Sequence, residues 1–255
     1  MTSENGSYCP RCRGLGFLIT ERGSKKCRCV YERFNAARYL NIPKRFEKAE
    51  VSHLRRVLDR ATLEGLYDYL RSFENYHKKG VGLLFVGPPG VGKTYAAAAV
   101  LKFVYNRFGV RGYFVDTKEL SVKLREGISS GSHLKYLEFL ARVPVLVLDD
   151  LGNEVLTDWY RDLLVGLVSR RYNDKKTTFV TTNYYPSYLL SAPKEVTTGY
   201  RVRDKVSVAD FLPQTAEKET LLDARFGSHV VSRLGEMTVP IVMKGRDKRL
   251  EGVVP

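Results

Sequence analysis

Eight consecutive residues, Gly87-Pro88-Pro89-Gly90-Val91-Gly92-Lys93-Thr94, carry the spacing G-x-x-x-x-G-K-[ST]. Glycines at 87, 90 and 92 let the backbone curl until successive N–H groups face one anion, and a helix that starts near Gly92 and Lys93 turns its positive end toward the same point. Lys93 then reaches the β- and γ-phosphates of a nucleoside triphosphate, and the Thr94 hydroxyl joins the shell of a Mg²⁺ ion. With Tyr95 next in line, these residues are the candidate nucleotide-binding set.

A second constellation lies downstream. Val145-Leu146-Val147-Leu148 is an apolar run that ends in Asp149-Asp150. After a phosphate-binding loop, an acid at such a strand end holds Mg²⁺, directly or through water. That role falls to Asp149. A neighbouring acid can orient or deprotonate the attacking water, which falls to Asp150. Thr181-Thr182-Asn183 closes the next apolar run. The Asn183 amide is a candidate sensor of the γ-phosphate or the lytic water; by itself it would read as a turn cap.

The elements that must hold these groups follow from the hydrophobic pattern. Short apolar strands are expected at 83–86, 112–116, 143–149, 177–182 and 239–243, with helices at 94–108, 134–140 and 158–172 between them. A strand as apolar as 143–149 suits a parallel sheet buried on both faces, and the alternation implies helices on both faces of it. The fold class is α/β, a parallel sheet of the P-loop NTPase kind over residues 81–255. Residues 36–80 read as a helical linker, with apolar positions at Leu54, Val57, Leu58 and Ala61 continued by Leu66, Tyr69, Leu70 and Phe73. Residues 186–222 have no clear period and read as a long loop or insertion.

All four cysteines fall within the first 30 residues, as Cys9-Pro10-Arg11-Cys12 and Cys27-Arg28-Cys29. Clustering of this kind without cysteines elsewhere points to a metal rather than to disulfides. Four thiolates close a tetrahedral Zn²⁺ site, although the second pair is tighter than the usual knuckle. A segment of about 35 residues buries little core, so a metal would supply its folding energy. Reduced thiols, disulfides and an iron–sulfur cluster are the alternatives.

The chain holds 42 Lys+Arg against 28 Asp+Glu, a net charge of +14. The excess is denser in the first 80 residues, with 17 basic and 9 acidic side chains. A polyanionic partner, nucleic acid first, is favoured by such a balance. Single-stranded DNA binding calls for basic groups interleaved with aromatics. Lys102, Phe103, Tyr105 and Arg107 fit loosely, as do Lys118, Lys123 and Arg125, and Arg170, Arg171 and Tyr172. Taken one at a time, each aromatic reads as core and each charge as a solvated face. No apolar run reaches the roughly 18–20 residues of a membrane span. Met1-Thr2-Ser3-Glu4-Asn5-Gly6 is polar and unlike a signal peptide, so a cytoplasmic protein is expected.

The order GPPGVGKT, LVLDDLG, TTN resembles the AAA+ ATPases, and within them the bacterial helicase loaders of the DnaC and DnaI type, relatives of the initiator DnaA and the IstB transposition helpers. Gly112-Tyr113-Phe114-Val115-Asp116-Thr117 and Lys244-Gly245-Arg246-Asp247-Lys248-Arg249 extend the likeness. The resemblance spans about residues 80–250. It implies an ATP-dependent factor that binds a replicative hexameric helicase and helps deposit it on single-stranded DNA, with DnaA as a further partner and residues 1–35 gripping the helicase. It also implies self-association through the nucleotide, with an arginine of one subunit reaching the γ-phosphate held by the next. Arg225, in Asp223-Ala224-Arg225-Phe226-Gly227, fits that place; Arg233, in Ser232-Arg233-Leu234, is the second choice or a residue acting within its own subunit.

Two departures carry consequences. Most AAA+ enzymes have Asp-Glu where this chain has Asp149-Asp150, and the missing methylene sets the second carboxylate back by about 1.5 Å. Slow hydrolysis, adjusted by DNA or a partner, is the expectation; the resemblance implies that loaders share the Asp-Asp form. About a dozen residues follow the last strand, so the helical lid common in AAA+ proteins is expected to be absent. Three other readings compete. One is an IstB-like transposition helper, which would carry no cysteine knuckle. Another is a small-molecule P-loop kinase, which predicts an acceptor pocket. The third is an ATP-binding DNA adaptor with little hydrolysis.

Overall fold

The computed structural model describes residues 17–20, 23–26, 36–191, 221–245 and 247. The four cysteines, and most of the segment read as a long loop, lie outside these residues. Near the N-terminus β1 (Phe17–Thr20) and β2 (Gly23–Lys26) pair antiparallel, Phe17 opposite Lys26.

From residue 36 the chain runs through α1 (Ala36–Tyr39), two 3-10 turns (Lys44–Phe46 and Val51–Arg56), α2 (Arg60–Arg71) and α3 (Phe73–Lys79). The apolar residues Leu54, Val57 and Leu58 are buried as their spacing predicts. The backbone there is a 3-10 turn, because Asp59 caps the helix only at its own position: its carboxylate accepts from the Thr62 N–H (3.0 Å) and hydroxyl (2.7 Å).

Next come β3 (Gly82–Val86), α4 (Lys93–Phe108), β4 (Gly112–Asp116), α5 (Thr117–Glu126), α6 (Ser132–Arg142) and β5 (Val145–Asp149). They are followed by α7 (Asp158–Asn173), β6 (Thr177–Thr182), α8 (Tyr188–Ser191), α9 (Leu222–Phe226), α10 (Ser228–Met237) and β7 (Thr238–Val242). Helix α5 was not expected from the apolar pattern; Asp116 starts it by accepting from the N–H groups of Lys118 and Glu119.

Five strands form one parallel sheet in the order β4-β5-β6-β3-β7. Alternate residues of each strand enter opposite cores, as a pleated strand requires. Leu83, Phe85, Val145, Val147, Phe179 and Phe114 join the core with α4, whereas Leu84, Leu146, Leu148, Val180 and Val115 join the core with α5, α6, α7 and α10. The α/β architecture read from the sequence, a parallel sheet with helices on both faces, is therefore present.

The 36–80 segment shares the α4 core through Leu40, Phe46, Leu54, Leu66, Tyr69 and Phe73. Polar pins reinforce it: Lys102 Nζ donates to the Glu47 carbonyl (2.7 Å), Tyr69 Oη to the Val81 carbonyl (2.9 Å), and His53 Nδ1 meets Tyr95 Oη at 2.8 Å. It also covers the open edge of β4. The Phe114 N–H donates to the Leu40 carbonyl (2.8 Å), and Asn41 Nδ2 donates to the Phe114 carbonyl (2.8 Å). At Phe114 the outward backbone groups of this edge strand are thus satisfied, which blunts it as a template for another chain.

On the other face, Arg171 of α7 is completely buried. Its guanidinium donates to the carbonyls of Leu140, Ala141, Val143 and Thr177 and to the Thr178 hydroxyl. It ties the end of α6 and the entry to β5 onto the start of β6, and it is unavailable to a DNA strand. Arg171→Met would strand these acceptors and should cost about 3 kcal/mol or more, read as a lower denaturation midpoint in urea or heat. Wild-type stability in that variant would contradict the assignment.

Candidate nucleotide site

Strand order decides what the C-terminal rim of the sheet brings together. β3 ends at Val86 and opens into the glycine loop, β6 lies beside it, and β5 lies beside β6. Thr182 pairs with Val86, so Asn183 follows at the level of Gly87, half-buried between the loop and the acids. Asp149 stands one strand further over.

The loop adopts the curl that its glycines permit. Gly90 (φ 78°) and Gly92 (φ 98°) occupy the left-handed region. Val91 is buried in the α4 core, whereas Pro88 and Pro89 are exposed. Lys93 is buried, and its ammonium lies inside the curl, donating to the carbonyls of Gly87 (2.8 Å) and Pro88 (2.7 Å). Residues from outside the loop pack on it: Val57 against Gly92, Met243 against Gly87 and Asp247 against Gly90. Tyr95, expected in the nucleotide-binding set, turns its ring inward against Phe46 and its hydroxyl to His53. Its backbone remains next to the loop, but its side chain belongs to the core.

Asp149 is 5% exposed. Oδ1 accepts from the Thr181 hydroxyl at 2.6 Å, and the carboxylate also accepts from the Thr94 hydroxyl. Burial pushes its pKa up to about 7; the two hydroxyls pull it down, and the carboxylates of Asp116 and Asp150 push it up again. Thr181 also accepts from the Asp150 N–H (2.8 Å), so one hydroxyl fixes both acids. A threonine on a fully buried strand must find a hydrogen-bond partner, and that was the available signal for Thr181. The oxygens of Thr94 and Asp149, beside the phosphate loop, form a hard donor set that fits Mg²⁺.

Asp150 faces elsewhere. It holds a left-handed backbone (φ 61°) unusual for a residue with a side chain. Its carboxylate accepts from Lys118 Nζ at 3.0 Å and from the Asn153 amide. Lys118, at the start of α5, was read only as a loose DNA contact; sequence spacing cannot show that strand order lays β4 beside β5. Acting on water would require Asp150 to leave these partners. Glu154 is buried in the same loop. Burial raises its pKa, and Oε2 accepts from the Thr117 hydroxyl and the Gly152 N–H, both at 2.9 Å.

The two candidate arginines are separated. Arg225 reaches the rim, donating from Nη2 to the Glu154 carbonyl (2.7 Å). Arg233 bonds Ser169 (3.0 Å) on α7. It sits one helical turn before the end of α10, which leads into Thr238, the partner of Gly82 at the opposite end of β3. The structure brings Arg225, not Arg233, to the phosphate-loop side. Among the described residues no His/Cys/Asp/Glu cluster of metal-binding kind occurs, and no helix is long and apolar enough to cross a membrane.

Asp149→Asn removes a charge whose burial disfavours folding. The folded pKa of about 7 exceeds the unfolded value of 3.8, so the cost of ionised Asp149 sets in as pH rises above 3.8 and is complete above 7. The Asn variant should therefore melt with wild type near pH 4 and above it at pH 8. Thermal melts at both pH values test this, and a variant less stable at pH 8 than at pH 4 relative to wild type would contradict it.

The family described as IstB-like ATP binding protein matches residues 14–187. Among solved structures, the DnaC helicase loader is 35% identical, with a TM-score of 0.59 over 79% of this chain and 100% of its own. The replicative helicase loader DnaI of Bacillus subtilis (strain 168) is 27% identical over 208 residues, covering 80% of this chain and 58% of that protein. The chain thus spans little more than half the length of that relative. The insertion sequence IS1162 putative ATP-binding protein of Pseudomonas fluorescens is 36% identical over 105 residues. A DnaA structure at 13% identity (TM-score 0.54) shares the fold. With about two thirds of its residues inside the family match, and a 35% identical structure covered end to end, the chain belongs to the IstB-like ATP-binding proteins, the family whose fold it shares with the DnaC helicase loader.

Proposed function

We propose that this protein is an ATPase that binds a replicative hexameric helicase and helps place it on single-stranded DNA. One observation carries the nucleotide half of the reading: Thr94 and Asp149 meet beside the glycine loop, with Lys93 inside its curl. There Lys93 would exchange two loop carbonyls for the phosphates, and Gly87 to Thr94 would supply the backbone cradle. Thr94 and Asp149 would hold Mg²⁺, which neutralises charge on the β- and γ-phosphates. Asn183 would sense the γ-phosphate, and Asp150 would orient water once released from Lys118 and Asn153. That release is a physical reason for slow, partner-adjusted hydrolysis.

The helicase partner rests on the likeness to the DnaC and DnaI loaders. DNA contact, a DnaA-type partner, association through the nucleotide with Arg225 as the reaching arginine, and a cytoplasmic setting belong to the same reading. Zinc on Cys9, Cys12, Cys27 and Cys29 is proposed for the gripping segment. The β1–β2 pair sits between the two cysteine pairs in sequence, and Lys26, the residue before Cys27, lies opposite Phe17. The second reading is a transposition helper, favoured by the likeness to the IS1162 protein. The loader reading is favoured by coverage: the likeness to DnaI and DnaC extends over 80% and 79% of this chain, against 41% for the IS1162 protein.

Two measurements test this. Lys93→Ala should weaken ATP binding at least about tenfold, since it removes a charge-assisted contact to phosphate; unchanged affinity would remove the nucleotide assignment. The protein mixed with the replicative helicase of its own organism should co-elute from a sizing column in a nucleotide-dependent way. The joint peak should vanish on zinc removal. A folded, ATP-binding protein that never co-elutes would sink the loader reading in favour of the transposition helper.

A further inference from the structure

The helix that follows the phosphate loop is gripped along one face by the segment that precedes the loop. Gly92, which caps α4, and Tyr95, Ala99 and Lys102 within it recur every three or four residues, so they share one stripe of the helix. The 36–80 segment meets that stripe at three of them. Lys102 Nζ donates to the Glu47 carbonyl (2.7 Å). The Tyr95 ring stands edge-on to Phe46, centroids 6.5 Å apart, and its hydroxyl lies 2.8 Å from His53 Nδ1. At Gly92 an added Cβ would stand 2.7 Å from Val57 Cγ1 and 3.9 Å from Met243 Cε.

These contacts end where the phosphate chemistry begins. Gly92 precedes Lys93 and Tyr95 follows Thr94, so the two gripped residues flank the two assigned to phosphate and Mg²⁺. Gly92 holds the left-handed backbone (φ 98°) that starts the helix. A shift of this first turn would move Lys93 and Thr94 together, and the Thr94 hydroxyl has to meet Asp149. A site already fixed in its binding shape loses less freedom when it takes its ligand.

We propose that Phe46, His53 and Val57 brace the first turn of α4, so that docking of the 36–80 segment and binding of a nucleoside triphosphate strengthen one another. The inference rests on the ATPase reading above. His53 and Val57 are positioning residues: they act through Tyr95 and Gly92 and do not touch the reacting atoms. The coupling is reciprocal. Weakening the brace weakens ATP binding, and ATP in turn protects the segment from local opening.

The test is a double-mutant cycle on ATP affinity, measured by titration, with a thermal melt of each variant. His53 is exposed, so its replacement removes little packing. His53→Ala should weaken ATP binding about threefold or more, the effect expected of one lost hydrogen bond. Tyr95→Phe keeps the ring and should do the same, and the double variant should bind no more weakly than either single one. His53→Asn puts a polar atom where Nδ1 stands and should restore wild-type affinity. Val57→Ala should weaken binding through Gly92. A segment that only stabilises the fold would give variants with lower melting temperatures and unchanged affinity. That outcome overturns the brace, as does an additive double variant. If the variants do not fold, hydrogen exchange on the wild-type chain decides. Saturating ATP should slow the backbone amides of residues 46–58 severalfold, and unchanged exchange there overturns the brace. A folded wild-type protein that binds no ATP overturns the ATPase reading, and the brace with it.

Discussion

A carboxylate buried to 5% exposure at the end of an apolar strand is the constraint around which this molecule is arranged. Burial raises the cost of its charge, so Asp149 persists only where donors reach it. Thr181 supplies one from the neighbouring strand, and Thr94 supplies another from the helix after the glycine loop. These two hydroxyls fix the spacing between β5, β6 and the start of α4. The same Thr181 oxygen takes the Asp150 N–H, which sets the direction in which the chain leaves the strand.

Placing three strand ends side by side requires the sheet to be buried on both faces, and each face is closed differently. On the α4 face, among the described residues, the 36–80 segment supplies 13 of the 30 buried core residues and caps the β4 edge at Phe114. Deleting it would expose both the core and a row of backbone groups. On the other face Arg171 gathers carbonyls from the ends of α6, β5 and β6. A lysine could not do the same, because a single ammonium lacks the planar fork that spans several acceptors.

Beyond the acids, one short loop carries opposing demands. Asp150 is engaged by Lys118 and Asn153, while four residues on the Glu154 carbonyl engages Arg225. Asp150 and Arg225 are thus both engaged by contacts within the chain, whereas Asp149 and Lys93 already face the loop. Under the function proposed above, binding and hydrolysis would be separable, because the acid and the arginine assigned to hydrolysis would have to leave these contacts first.

Much of this was readable in the chain. The glycine loop, the Asp149 strand end and all five sheet strands follow from residue type and short apolar runs, because steric freedom at glycine and the apolar character of a strand buried on both faces are local properties. Helix α5 escaped because its first turn is set by the Asp116 cap rather than by an apolar stripe. Residues 36–80 showed a helical period, but that period could not say what their apolar face covers. Other features needed the tertiary structure outright. Lys118 meets Asp150 32 positions away, Thr181 meets Asp149 across a strand pair, and Tyr95 turns into the core instead of toward phosphate. Arg225 and Arg233, alike in sequence, were parted by the direction of one helix, since α10 carries Arg233 toward the far end of the sheet while α9 leaves Arg225 at the rim. Local chemistry fixes which residues can bind a phosphate; strand order and helix direction, which depend on contacts between distant residues, decide which of the others reach it.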